Sequence, residues 1–171
     1  LYIPVPWLLA KRKAAKAAAL ALAQAGCRVT VCARTPEKAA ALAARCGGVT
    51  VSWGDLPRAA AEHGLLLNAT PLGMEGSPEF ESLDFVQALP AKAVVYDLVY
   101  HPTDTALLRA AEYRGLTAVG GLALLVQQAA LSFAHFTGIV PDAALCRDIL
   151  QELEAAQQGS GCRFRKKCKK I

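Results

Sequence analysis

The sequence predicts a doubly wound α/β domain, a parallel sheet covered by helices on both faces and followed by C-terminal helices. Three observations carry this expectation. Short β-rich stretches alternate with Ala- and Leu-rich stretches along most of the 171 residues, the order that yields parallel strands joined by helical crossovers. Some strand candidates are continuous apolar runs, as befits strands buried on both faces. Ala dominates a composition that is 54% hydrophobic and only 6% aromatic, and Ala favours helix because it has no side-chain entropy to lose there. The length is that of one domain.

The elements follow in order. Lys13 to Ala25 has no breaker until Gly26, a residue that ends helices because it tolerates positive φ. Arg28-Val-Thr-Val-Cys-Ala33 is the next strand, rich in β-branched residues. Thr35 then offers an N-cap with Pro36 at the first helical position, opening a helix to about Cys46, where Gly47-Gly48 breaks it. Val49 to Ser52 reads as a short strand, and Asp55-Leu-Pro57 opens a brief helix ending near Gly64. Leu65-Leu-Leu-Asn-Ala-Thr70 is an apolar run bounded by Gly64 and Pro71, which suits a strand buried on both faces. Ala93 to Leu98 repeats that pattern, Thr103 to Arg114 reads as a helix, and Leu116 to Val119 is one more strand. A long helix should span Leu122 to about Phe136, and a last one should start at Pro141-Asp142 and fade near Gln158. The amino terminus fits less well. Tyr2-Ile-Pro-Val-Pro-Trp7 carries two prolines that cannot donate to a central ladder. The expected organisation is therefore an atypical segment over 1–13 in place of a first strand and its turn, a domain over 14–158, and a basic, disordered tail over 159–171.

The net charge of +5 raises nucleic acid as a partner, but the charge sits at the ends. Lys11, Arg12, Lys13 and Lys16 lie at one end, and Arg163, Arg165, Lys166, Lys167, Lys169 and Lys170 at the other. The remaining nine basic residues face all 14 acidic ones, an ordinary balance for a cytoplasmic enzyme. No nucleic-acid partner is expected, although a basic tail binds phosphates with little sequence demand. The six cysteines form no CxxC pair and share no spacing with the three histidines, so free thiols in a reducing cytoplasm are expected rather than zinc. The apolar runs are far shorter than the roughly 20 residues of a membrane span, and Leu1 to Ala10 lacks the basic start of a signal peptide.

Ligands of doubly wound sheets bind beyond the carboxyl ends of the strands, near the point where strand order reverses. In a dinucleotide-binding sheet the second strand ends beside the adenosine ribose, where an Asp or Glu bonds the 2′-hydroxyl of NAD. Here that strand ends in Ala33-Arg34-Thr35, with Lys38 one helical turn on. A guanidinium offers a planar fork of donors to phosphate oxygens, so this end suits the 2′-phosphate of NADP.

Four segments in order, ARTPEKAAALA (33–43), NATPLGM (68–74), YDLVY (96–100) and GGLALLVQQAA (120–130), make residues 14 to 157 resemble the shikimate dehydrogenase family. The resemblance implies a Rossmann-like NADP-binding domain and an oxidoreductase that interconverts 3-dehydroshikimate and shikimate in aromatic amino-acid biosynthesis. It implies that Ala33, Arg34, Thr35 and Lys38 hold the adenosine 2′-phosphate. Asn68, Ala69 and Thr70 would line the cofactor cleft, Leu98 and Gly121 would contact the nicotinamide end, and Tyr100 and Gln128 would reach the hydroxyls and carboxylate of the substrate.

The sequence also departs from the family. Ala33 stands where the family usually has Asn, and the family's glycine-rich turn falls on Ala10-Lys11-Arg12-Lys13, with no glycine. Glycines at such a turn let backbone amides approach a pyrophosphate closely. The family's catalytic Lys and Asp lie in an amino-terminal substrate domain ahead of Leu1, so no catalytic residue is expected in this sequence and its activity alone should be absent. Two rivals stay open: a non-catalytic nucleotide-binding or interaction module, and a quinate-using relative, whose ring-hydroxyl selectivity would depend largely on that other domain. Oligomeric state is not legible.

Overall fold

The computed structural model describes residues 6–10 and 13–167. In chain order they form β1 (Pro6–Ala10), α1 (Lys13–Gln24), β2 (Thr30–Cys32), α2 (Pro36–Cys46), β3 (Val49–Thr50), α3 (Leu56–Ala60), β4 (Leu65–Ala69), α4 (Asp84–Ala88), β5 (Val94–Asp97), α5 (Ala106–Tyr113), β6 (Thr117–Val119), α6 (Gly121–Thr137) and α7 (Ala143–Lys167). Among the described residues every strand pair is parallel, in the order β3-β2-β1-β4-β5-β6. The sheet is doubly wound as the alternation predicts, and its order reverses between β1 and β4.

Two expectations are corrected. A first strand does form, and it lies at the centre of the sheet, pairing Leu8 with Val31 on one side and with Leu67 on the other. It starts at Pro6 rather than running through the proline pair, and the first position of a strand is one a proline tolerates. The strand-to-helix turn therefore falls between Ala10 and Lys13, and its residues 11 and 12 lie outside those described. The second correction concerns the last helix, which continues past Gln158 to Lys167. The two glycines at 159 and 161 weaken a helix by about 1 kcal/mol each, whereas a proline would end it, and residues 162–167 contain no proline. The remainder of the basic tail, 168–171, lies outside the described residues.

Burial on both faces follows from strand alternation. Leu66 and Val95 point into one cluster with Leu56, Phe85, Val86 and Leu107, while the neighbouring Leu67 and Ala69 point into the opposite one with Ala15, Ala19, Val31 and Leu42. The small alanines of α1 and α2 let those helices lie close to the sheet. α4, which the sequence reading did not anticipate, spans five residues; it is held by Phe85 and Val86 in the core rather than by helical periodicity.

α6 begins on the sheet, with Gly121, Leu122 and Val126 buried, and then leaves it. Leu131, Phe133 and Phe136 are exposed further along, as are Leu145 and Ile149 of α7. Among the described residues, no helix is long and apolar enough to cross a membrane.

Candidate functional site

At the end of β2 the chain leaves the sheet through half-buried Ala33 and exposed Arg34. Thr35 is extended at φ −105 and ψ 106, and Pro36 starts α2 with its ring preset for the helix. The first turn closes as the Lys38 amide donates to the Thr35 carbonyl at 3.1 Å. Arg34, Thr35 and Lys38 consequently line one cavity of about 210 Å³, together with Trp53, Thr70 and Pro71. Among the described residues, no carboxylate lines it. Its two cations suit a dianionic phosphate group.

β4 and β5 pair in register, Asn68 opposite Asp97. Both side chains are fully buried. Asn68 Nδ2 donates to Asp97 Oδ1 at 2.9 Å and to the Leu72 carbonyl at 3.3 Å. Asn68 Oδ1 accepts from the Thr70 amide at 3.0 Å and from the Thr70 hydroxyl at 2.7 Å. Asp97 also accepts from the Val99 amide at 3.0 Å and from the Thr105 hydroxyl at 2.8 Å. Burial pushes the Asp97 carboxyl above its ordinary value, against the opposing pull of the bonds from Val99, Thr105 and Asn68. The expectation that Asn68 lines the cleft is corrected: its side chain has no exposed surface and spends both polar ends inside the protein. It shapes the loop from beneath, and Ala69 and Thr70 are the residues that reach the cavity.

Beyond β5, Leu98 and Val99 meet the start of α6. A Cβ on Gly121 would stand 2.4 Å from the Leu98 carbonyl oxygen and 2.8 Å from that of Val99. Only glycine permits this approach, which is sealed by the Gly121 amide donating to Val99 O at 3.1 Å. The contact brings Ala69, Thr70, Leu98, Tyr100, Gly121 and Gln128 around a second cavity of about 180 Å³. The Tyr100 main-chain oxygen accepts from Gln157 Nε2 at 3.1 Å, and the next residue, His101, pairs with Glu75. α7 is thereby tied to the loop that carries Tyr100. Among the described residues, no lysine or carboxylate lines this cavity.

The two cavities share Thr70 and Pro71 and so form one cleft along the carboxyl ends of β2, β4 and β5. Ten of the eleven residues singled out from the sequence line it, all but Asn68. A larger open groove of about 400 Å³ runs beside the edge strand β3, lined by Thr50, Asp55, Arg58 and Glu62. None of the eleven lies there.

Comparison with known proteins bears on this cleft. Residues 121–151 match the shikimate 5′-dehydrogenase C-terminal domain. A shikimate dehydrogenase (NADP(+)) of Acidiphilium cryptum is 46% identical over 142 residues, which is 82% of this chain and 51% of that relative. The chain belongs to the shikimate dehydrogenase family. It spans about half the length of the curated relatives it matches. The crystal structure of the Thermus thermophilus shikimate 5-dehydrogenase in complex with NADP(H) and shikimate matches at 34% identity and a TM-score of 0.74, covering 90% of this chain and 57% of that one. A quinate dehydrogenase from Corynebacterium glutamicum in complex with NAD matches at 28% identity and a TM-score of 0.77, covering 88% of this chain and 56% of that one. Shikimate dehydrogenase relatives and a quinate dehydrogenase thus share this fold with different nicotinamide cofactors. Cofactor choice must be read from side chains at the end of β2.

Reading the shikimate dehydrogenase motifs alone misses residues that the fold brings in. Trp53 follows β3 and lies between motifs, yet it lines the cavity with Arg34. Its position just past the carboxyl end of a strand was the available signal. Met74, Leu124 and Leu125 supply apolar wall to the second cavity. Asp97 sits inside the YDLVY motif, and its role as a buried acceptor emerges only once β4 and β5 are in register.

Proposed function

We propose that this chain supplies the NADP-binding half of a shikimate dehydrogenase, the enzyme that reduces 3-dehydroshikimate to shikimate. The observation that carries the proposal is the pairing of Arg34 and Lys38 at the end of β2 in a cavity whose described lining has no carboxylate, continuous with the cleft lined by Tyr100 and Gln128. The residues present fit the cofactor at both ends. Arg34, Thr35 and Lys38 would hold the 2′-phosphate; Ala69 and Thr70 would line the middle; Leu98 and the Gly121 approach would form the nicotinamide end. The bound cofactor supplies the hydride.

The chain's own residues bind and orient. The Thr70 hydroxyl donates to Asn68 and accepts from the Leu72 amide at 3.1 Å, so Thr70 meets a ligand with its methyl group and backbone. The Tyr100 hydroxyl and the Gln128 amide are suited to substrate hydroxyl and carboxylate groups, since between them they both donate and accept. Leu124, Leu125 and Met74 limit water beside them. No proton-transfer step falls to this half. Cys27, Cys32, Cys46 and Cys146 are free thiols, in keeping with a cytoplasmic location.

Titration of the chain with NADPH and NADH, followed by cofactor fluorescence, tests the proposal. Tighter binding of NADPH is expected. Equal affinity for the two would remove the 2′-phosphate role of Arg34 and Lys38.

A further inference from the structure

Trp53 is half-buried, with part of its surface packed against the core cluster of Leu56, Phe85 and Val86. It also lines the cavity at the end of β2, where Arg34 and Lys38 bring positive charge and Pro71 and Pro78 bring flat apolar surface. Among the described residues, the indole is the one aromatic ring lining that cavity. An aromatic face that shares a cavity with a guanidinium and proline rings is a surface for a planar heteroaromatic group, since stacking needs a rigid π-face and exclusion of water from its edges. Core packing on one side holds the indole in place before a ligand arrives, which lowers the ordering cost of binding.

We propose that Trp53 is the platform for the adenine ring, a contact separate from the reading of the 2′-phosphate by Arg34 and Lys38. The inference rests on the cofactor assignment above and deepens it. Its consequence is a division of labour within one cavity. Trp53 contributes to binding of any adenosine ligand, whether or not it carries a 2′-phosphate, and Arg34 contributes only when that phosphate is present.

The test uses the full 171-residue chain and ligands that do not depend on the pyrophosphate turn, adenosine 2′,5′-bisphosphate and 5′-AMP. Trp53→Leu keeps an apolar side chain against the core and removes the π-face, whereas Trp53→Phe keeps a smaller one. Trp53→Leu is expected to weaken both ligands by the same factor, roughly tenfold on the scale of base–aromatic stacking. Trp53→Phe should recover most of that loss, with thermal melting reported for each variant. Arg34→Ala should weaken only the bisphosphate. Indole emission of the wild-type chain should be quenched by both ligands, and Trp53→Phe should abolish that change while leaving the emission of Trp7. Unchanged affinity in Trp53→Leu, a loss confined to the bisphosphate, or quenching that persists in Trp53→Phe would each overturn the platform. If the wild-type chain binds 5′-AMP and the bisphosphate equally, the 2′-phosphate assignment fails while the Trp53 arm still reads out. If it binds neither, both fall.

Discussion

The carboxamide of Asn68 donates to the carboxylate of Asp97 across 2.9 Å, and neither side chain is exposed. A carboxylate only accepts, so Asp97 fixes which way the Asn68 amide points, NH₂ towards Asp97 and oxygen towards Thr70. Three segments that frame the cleft converge on this pair: the loop after β4 through Asn68, the start of the next loop through Val99, and the cap of α5 through Thr105.

Asp97→Ala should therefore cost about 3 kcal/mol or more, because it strands three buried donors that each carry a desolvation penalty of roughly 1–3 kcal/mol. Asp97→Asn should cost far less. Its carboxamide oxygen can keep accepting from Asn68 and Val99, and its NH₂ can donate to the Thr105 hydroxyl once that hydroxyl turns. Urea unfolding of the two variants beside the wild type checks this. Equal losses in both would mean that the charge, not the hydrogen-bond pattern, holds the site.

The same pair shows what the sequence could and could not reveal. NATPLGM and YDLVY were legible as motifs, and the apolar runs that contain Leu66 and Val95 were legible as buried strands. The pairing of Asn68 with Asp97 depends on strand register between positions far apart in sequence, which local patterns do not encode. The first strand was hidden for a different reason. Proline content argued against it, and the five residues of the ladder, Pro6 to Ala10, include one of the two prolines and are too few to outweigh them in a local reading. The cleft residues Arg34 and Lys38 were legible because helix start signals place them by short-range rules alone.

Stability should depend on pH through Asp97. Its folded-state value lies above the ordinary 3.8, chiefly through burial. A raised folded value means that the native state holds the proton more tightly than the unfolded state does. The contribution is fully present below the unfolded value and is lost as pH rises through the folded one. Asp97→Asn does not titrate there, so the wild type should lose ground to it as pH rises from about the unfolded value of 3.9 to the raised one, and the difference should then stay flat. Unfolding curves for both proteins at several pH values measure the window. A wild type that gains on the variant over that range would place the folded value below the ordinary one.

Gly121→Ala should loosen the junction between α6 and β5. The added Cβ would meet the Leu98 carbonyl oxygen at 2.4 Å and its carbon at 2.6 Å, and both are backbone atoms that cannot swing away. α6 must shift outward, stretching the Gly121–Val99 hydrogen bond. Overpacking of this kind typically costs about 1–3 kcal/mol. A lower melting temperature with faster exchange of the Gly121-position amide is expected; unchanged exchange would show that the helix accommodates the methyl group in place.

Arg34→Ala should weaken NADP far more than NAD. Arg34 is exposed and, among the described residues, no carboxylate lines its cavity, so its guanidinium is available to phosphate oxygens. A hydrogen bond to a charged group is worth about 1.5–3 kcal/mol, and NAD has no phosphate at that position to lose it. Paired titrations of wild type and variant give the difference directly. A loss shared equally by both cofactors would assign Arg34 to the common part of the dinucleotide.

Supplied with shikimate and NADP, this chain alone should show no turnover above background. Oxidation of a hydroxyl requires a proton to leave as the hydride does, and among the described residues no lysine or carboxylate lines the cavity shared by Tyr100 and Gln128. Without a positioned acid–base group such a reaction loses a factor of about 10²–10⁴. The cavity is also walled on one side by α6 and on the other by the loops after β4 and β5, so the substrate would lack the enforced geometry that makes reaction effectively unimolecular. The cation pair at β2 can still hold the 2′-phosphate, so turnover should be absent even where the cofactor binds. Steady-state formation of NADPH checks this. A rate that scales with chain concentration and disappears in Gln128→Ala would show that these residues suffice for the chemistry and that Tyr100 does more than orient the substrate.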